Sequence, residues 1–171
     1  DFTYEVSRSL SACEGAILVV DATQGVQAQT LANGYLAIDN GLKLLPVINK
    51  MDLPSADVER CQLELIDTLS IDPESVIPVS AKTGVGVDSL LEHIVTDLPS
   101  PTGNENNPLE ALIFDSRFDS YRGVIILIRV FEGTIRVGDK IKFLSNGNTY
   151  QVTELGIRTP KEQKVDSLKA G

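Results

Sequence analysis

Apolar residues recur along the first hundred positions in two alternating patterns, and each change of pattern marks out an element. Phe2, Val6, Leu10 and Cys13 fall at helical spacing, which predicts an amphipathic helix over residues 1–14. Residues 16–20, Ala-Ile-Leu-Val-Val, form an uninterrupted apolar run that stops at Asp21. That is the pattern of a strand buried on both faces. A helix over residues 26–40 follows, with Gly41 as its stop. Residues 44–48, Leu-Leu-Pro-Val-Ile, predict a second strand, although Pro46 argues against it because proline cannot donate to a ladder. Ser55 is placed to cap a helix reaching Leu69, with Asp57 and Glu59 in the first turn, where the helix dipole favours acids. A short strand over residues 76–79 comes next. The last helix, residues 87–98, turns Leu90, Leu91, Ile94 and Leu98 inward.

Apolar strands separated by helices require crossover connections, so the strands run parallel. The expected fold is half of a doubly wound α/β sheet, whose ligands sit outside the carboxyl ends of the strands. Loops 21–25, 49–54 and 80–86 are therefore the ones to inspect. Residues 99–108, Pro-Ser-Pro-Thr-Gly-Asn-Glu-Asn-Asn-Pro, lose their apolar positions and read as a linker. Beyond it the period becomes two. Residues 124–131 are a dense apolar run, and Ile135, Val137, Ile141 and Phe143 occupy odd positions between glycine- and asparagine-rich turns. A small antiparallel barrel or sandwich over residues 109–171, incomplete at its end, is the expectation.

Charge divides the chain in the same place. Residues 1–108 carry a net −11 and residues 109–171 a net +2, within an overall −9. The acidic part excludes a broad nucleic-acid surface, which needs clustered Lys and Arg. Arg117, Arg122, Arg129 and Arg136 in the second part could serve phosphates, but interspersed arginines more often solubilise. Cys13 and Cys61 form no CxxC pair and read as small core residues in a reducing compartment. With His93 as the one histidine, on the polar side of the last helix, a zinc site has no support. No apolar run approaches the roughly 18 residues of a membrane span. The opening at acidic Asp1 shows no signal-peptide n-region, and with the ending at Gly171 it leads us to expect a slice of a longer protein.

Two loops carry chemistry. Asn49-Lys50-Met51-Asp52 follows the second strand directly. Guanine shows two donors on one edge, N1–H and the 2-amino group, and an ionised Asp can accept both. Adenine offers an acceptor at N1, which a carboxylate repels. A lysine two positions before the Asp can lay its stem along the base, and the Asn can reach the other edge and tie loops together. Taken alone, these residues are more readily read as a turn with a solvated charge. Ser80-Ala81-Lys82, after the third strand, changes the balance, because the Ala81 N–H could donate to guanine O6. Asp21, at the end of the first strand, reads as an acceptor for backbone N–H groups of the following loop.

Val-Ile-Asn49-Lys50-Met51-Asp52 and Val-Ser80-Ala81-Lys82 resemble the fourth and fifth guanine-recognition motifs of the translation-factor GTPases. Residues 1–10 (Asp-Phe-Thr-Tyr-Glu-Val-Ser-Arg-Ser-Leu), residues 12–16 (Ala-Cys-Glu-Gly-Ala), residues 19–30 (Val-Val-Asp-Ala-Thr-Gln-Gly-Val-Gln-Ala-Gln-Thr), residues 119–123 (Asp-Ser-Tyr-Arg-Gly) and residues 156–160 (Gly-Ile-Arg-Thr-Pro) are similar, more narrowly, to the elongation factor 4 (LepA) family. The elongation factor G type fits these strings less well and stands as the alternative, with a guanine-nucleotide-binding module lacking catalysis as another.

The resemblance implies that residues 1–98 are the C-terminal part of a P-loop-type GTPase domain and residues 109–171 the start of the translation-factor β-barrel. It implies GTP as ligand, with the guanine base held by Asn49, Lys50, Met51, Asp52, Ser80, Ala81 and Lys82. No GxxxxGK[ST] or DxxG occurs in the chain, and Lys82-Thr83 is a decoy because Ala81 stands where Gly is needed. The phosphate loop, the Mg²⁺ ligands and the Pro-Gly-His stretch would precede Asp1, leaving residues 1–14 as the helix of the second switch. No catalytic residue is then expected within these 171 positions. The implied partners are the ribosome, with its RNA and proteins, and ribosome-bound tRNA. The implied setting is a bacterial cytoplasm, with peripheral attachment to the inner face of the cell membrane allowed and a mitochondrion or plastid as the alternative.

Overall fold

The computed structural model describes residues 2–171, with side chains from residue 4 onward. The chain separates into two compact units, residues 1–100 and residues 101–171. Among the described residues no helix is long and apolar enough to cross a membrane.

In the first unit, helix α1 (Phe2–Leu10) precedes strand β1 (Gly15–Asp21), helix α2 (Ala28–Asp39) and strand β2 (Lys43–Asn49). Helix α3 (Val58–Leu69), strand β3 (Ile77–Pro78) and helix α4 (Val87–Asp97) complete it. The three strands form one parallel sheet in the order β1-β2-β3. Asp21 and Asn49 are register partners, so β1 and β2 end side by side. Helix α2 stops where expected, with Gly41 at φ 73° just beyond the cap.

Pro46 lies fully inside β2, and the reason it is tolerated is one of parity. The Ile48 carbonyl accepts from Val79 N–H at 2.8 Å, so Ile48 faces β3. Pro46, two residues earlier, faces the same way. Because β3 begins pairing only opposite Val47, the missing N–H of Pro46 falls before the third strand starts.

The sheet is covered on its two faces by different helices. Leu18, Val20 and Ile48 pack with Cys61, Leu65 and Leu69 of α3 and with Leu31 of α2. Leu45, Val47, Ile77 and Val79 on the opposite face pack under Leu90, Ile94 and Leu98. Burying one such side chain is worth about 1.5–3 kcal/mol. On β1 the Leu98 side chain lies close to Gly15. Ile17 and Val19 stay exposed, at 41% and 55%. The expectation that β1 is buried on both faces is therefore wrong for its outer face.

Three further readings are corrected. Asp57, not Ser55, caps α3, its Oδ1 accepting from Arg60 N–H at 3.0 Å. Asp57 N–H also donates to the Ala22 carbonyl at 2.9 Å, which fixes the helix start two residues later than the local pattern does. Leu91 is 54% exposed, because α4 meets the sheet along the Leu90–Ile94–Leu98 line alone. Cys13 is exposed in the turn after α1, whereas Cys61 is fully buried as expected. Asp1 and the Phe2 side chain, the start of the predicted helical stripe, lie outside the described residues.

The second unit contains strands β4 (Glu110–Asp119), β5 (Gly123–Glu132), β6 (Thr134–Arg136), β7 (Lys140–Lys142), β8 (Thr149–Gln151), β9 (Leu155–Arg158), β10 (Glu162–Val165) and β11 (Ser167–Lys169). They make four antiparallel pairs, β4-β5, β6-β11, β7-β8 and β9-β10. A closed barrel requires every strand to pair along both edges. Among the described residues each of these strands pairs along one, so no closed barrel is present. Val130, Ile135, Val152 and Leu155 form the shared core. Residues 104–107 fold back onto this unit, Asn104 N–H and Asn107 Nδ2 both donating to Glu132. Arg117 and Arg122 are engaged by acids: both pair with Glu162, and Arg122 also reaches Glu154. Arg129 lies 4.6 Å above the Phe131 ring.

Candidate functional site

The carboxyl ends of the three strands converge on one group of loops, and hydrogen bonds between loops hold it together. Where β2 ends, the Asn49 carbonyl accepts from Ala22 N–H at 2.9 Å, which ties the loop after β1 to it. On the other side, Met51 N–H donates to the Val79 carbonyl at 3.3 Å. The Asn49 side chain does the same job at closer range: its Oδ1 accepts from Lys50 N–H at 2.8 Å and from Ala81 N–H at 3.0 Å. The predicted loop-tying role of Asn49 is thus visible in one of these, the bond from Ala81 N–H. The Ala81 N–H, expected to face a ligand, is held by Asn49 in this structure.

Lys50 has a φ of 67°. A left-handed conformation costs a non-glycine residue on the order of 1–3 kcal/mol and persists only where neighbours over-determine it. Here both flanking peptides are bonded across loops. The turn carries the chain from the end of β2 to Asp52, whose Oδ1 accepts from Ser80 Oγ at 2.7 Å. Ser80 is buried at 1% exposure, and its Oγ accepts from Thr83 N–H at 3.2 Å. A carboxylate has about four acceptor positions, so the serine takes one and leaves the rest for a ligand with paired donors.

A cavity of about 280 Å³ opens at this place, lined by Asn49, Lys50, Asp52, Leu53, Ala81 and Lys82. Of the seven positions singled out from sequence, five line it. Ser80 lies beneath, acting through Asp52. Met51 is half-buried, and its place in the loop is set by its backbone bond to Val79. Leu53 was not anticipated. It follows the motif directly and adds an apolar side chain, 37% exposed, to the wall.

Asp21 was expected to accept backbone bonds in the following loop, and it does. Its Oδ1 accepts from Thr23 N–H at 2.9 Å and from Thr23 Oγ1 at 2.7 Å. Its Oδ2 takes a bond that was not anticipated, from the Lys50 ammonium at 2.6 Å. The lysine, followed by the threonine bonds, holds the Asp21 carboxyl down at about 2. The two side chains form an ion pair.

His93, half-buried on α4, pairs with Asp97 at 2.7 Å, away from the loops of the cavity. Among the described residues no group of three or more His, Cys, Asp and Glu could hold a metal ion.

Comparison with known proteins adds a domain family and curated relatives. Residues 1–100 match the family described as Elongation factor Tu GTP binding domain. Over all 171 residues the chain is 59% identical to elongation factor 4 of Limosilactobacillus reuteri (strain DSM 20016). It is 57% identical over the same span to elongation factor 4 of an Exiguobacterium species, and 60% to that of Staphylococcus saprophyticus. In each case the chain is covered completely but spans 28% of the length of the curated relative.

Proposed function

The chain belongs to the Elongation factor Tu GTP binding domain family, and from that premise we propose that it supplies the base-recognising part of a ribosome-associated translational GTPase of the elongation factor 4 type. The observation that carries the proposal is the Ser80–Asp52 bond of 2.7 Å at the edge of the cavity. It fixes an ionised carboxylate between loops that follow two neighbouring parallel strands. Guanine N1–H and the 2-amino group donate to Asp52. Ala81 N–H exchanges Asn49 Oδ1 for guanine O6 as the base enters. The Asn49 amide reaches the opposite edge, while the Lys50 stem and Leu53 offer apolar surface to the ring.

Phosphoryl transfer also needs a phosphate-cradling loop, Mg²⁺ and a group that positions water. In our proposal those parts belong to the rest of the protein, and α1 is the helix of the second switch, which couples hydrolysis to release. Mg²⁺, held elsewhere, would neutralise charge on the triphosphate. The ribosome and its bound tRNA are the proposed macromolecular partners, in a bacterial cytoplasm, with any attachment to the inner membrane face peripheral. The strand pairs of residues 110–169 are assigned to the barrel that follows the GTPase domain in translation factors.

Asp52→Asn tests the base assignment. In the full-length protein it should weaken GTP and improve xanthosine triphosphate, whose C2 oxygen accepts where guanine donates. A site built on buried hydrogen bonds discriminates against analogues lacking them by roughly 10⁴–10⁵. Competition binding with the two nucleotides measures the ratio, and an unchanged ratio refutes the assignment.

A further inference from the structure

The motif accounts for a lysine at the cavity wall, but not for where its ammonium rests. A lysine stem has four rotatable bonds, and an unanchored stem would have to be ordered each time a base arrives. In this structure it is already ordered. The Lys50 Nζ sits 2.6 Å from Asp21 Oδ2, and Asp21 is itself clamped through its other oxygen by the Thr23 N–H and hydroxyl. The two ends of the pair come from neighbouring strand ends in register, Asp21 opposite Asn49. Asp21 is 19% exposed and does not line the cavity, whereas Lys50 is 51% exposed and does.

We propose that Asp21 is a positioning residue of the nucleotide site: it anchors the Lys50 ammonium so that the hydrocarbon stem forms a pre-set wall for the face of the base. This rests on the guanine-site reading above. Asp21 never touches the nucleotide, and its effect passes wholly through Lys50.

Asp21→Asn is the informative change, since the amide keeps an oxygen for Thr23 and loses the charge that holds the lysine. Ordering one long side chain at an interface corresponds to about two- to tenfold in affinity. In the full-length protein, fluorescent ribose-labelled GDP should bind about two- to tenfold more weakly to Asp21→Asn, chiefly through faster dissociation. The decisive arm is the same change in a Lys50→Met background, where the stem persists without an ammonium. There Asp21→Asn should add nothing, whereas a merely structural role would cost the same factor in both backgrounds. Equal costs, or no cost in the wild-type background, overturn the proposal. Asp21→Glu guards against an unfolded variant, because it keeps the charge and moves it by one methylene. A dissociation rate that shifts with Lys50 present and not with Met present supports the proposal, and equal shifts overturn it. Asp52→Asn, measured alongside, separates the two failures. If it leaves the guanine preference unchanged, the base-site reading falls. If it switches preference while the Asp21 effect is independent of Lys50, only this inference falls.

Discussion

Ser80→Ala removes a single oxygen from the site, and the structure specifies what that oxygen does. It donates to Asp52 Oδ1 at 2.7 Å and accepts from Thr83 N–H at 3.2 Å, from a side chain with 1% exposure. A hydrogen bond to a charged group is worth about 1.5–3 kcal/mol net, and a neutral one about 0.5–1.5. Asp52 is exposed and can replace the lost donor with water, so its bond belongs at the low end of that range. Thr83 N–H is only partly buried, and its bond is long. Together they predict a loss of about 2 kcal/mol in stability. Urea unfolding should show it as a lower midpoint with unchanged slope. Nucleotide binding reports separately, because an unanchored carboxylate must be re-ordered around the base. GDP affinity should fall about tenfold, equivalent to about 1.4 kcal/mol. In an Asp52→Asn background most of that second effect should vanish, as coupling between contacting residues requires. If Ser80→Ala binds GDP like the wild type and unfolds at the wild-type urea concentration, the serine does not hold the carboxylate and the argument fails.

Two more predictions follow from the core and from the acid limb. Leu65 is 0% exposed between α3 and the sheet, and Leu65→Ala should cost about 2–5 kcal/mol in urea unfolding; a loss under about 1 kcal/mol would mean that the site collapses around the cavity. Asp21 has its carboxyl lowered from 3.8 to about 2 in the folded state, so between those values the unfolded chain binds the extra proton. Its stabilisation is therefore complete above about pH 4 and disappears as pH falls towards 2. The melting-temperature gap between wild type and Asp21→Asn should close over that window, and a gap that stays constant from pH 7 to pH 2 would show that the ion pair is not its source.

How much of this was legible in the sequence depended on whether an element's determinants are local. The strand at residues 16–20 and the stop at Gly41 are local and both are present, although β1 is buried on one face only. Pro46 raised a doubt that only the sheet resolves, since its tolerance depends on where β3 begins opposite β2. Ser55 lost the cap to Asp57 because a bond to Ala22, 35 positions away in the chain, sets where the helix begins. Leu91 and Ile17 carry the right residue type for a core, but their burial depends on how far α4 extends across the sheet. Strand β4 gives no clear periodic signal: Asp115, Arg117 and Asp119 break its apolar character, and exposed positions dominate its length. The site shows the same division. Asn49 to Asp52 and Ser80 to Lys82 are contiguous strings whose chemistry is local. The Asp21–Lys50 pair joins residues 29 positions apart and exists only because two strands end in register.

That pair also bears on an apparent conflict between charge and ligand. Residues 1–108 carry a net −11, an unpromising surface for a nucleotide that is itself a polyanion. The conflict eases once the ends of the nucleotide are considered separately. In the proposed assignment the base is neutral and presents donors, so a pocket built on an acceptor such as Asp52 gains little from free cations. Lys50 would be the obvious counter-charge for phosphate, yet its ammonium is neutralised by Asp21 at 2.6 Å. What remains of it in the cavity is hydrocarbon. If these residues hold the base as proposed, replacing Lys50 should disturb recognition of the base far more than it disturbs the salt dependence of binding.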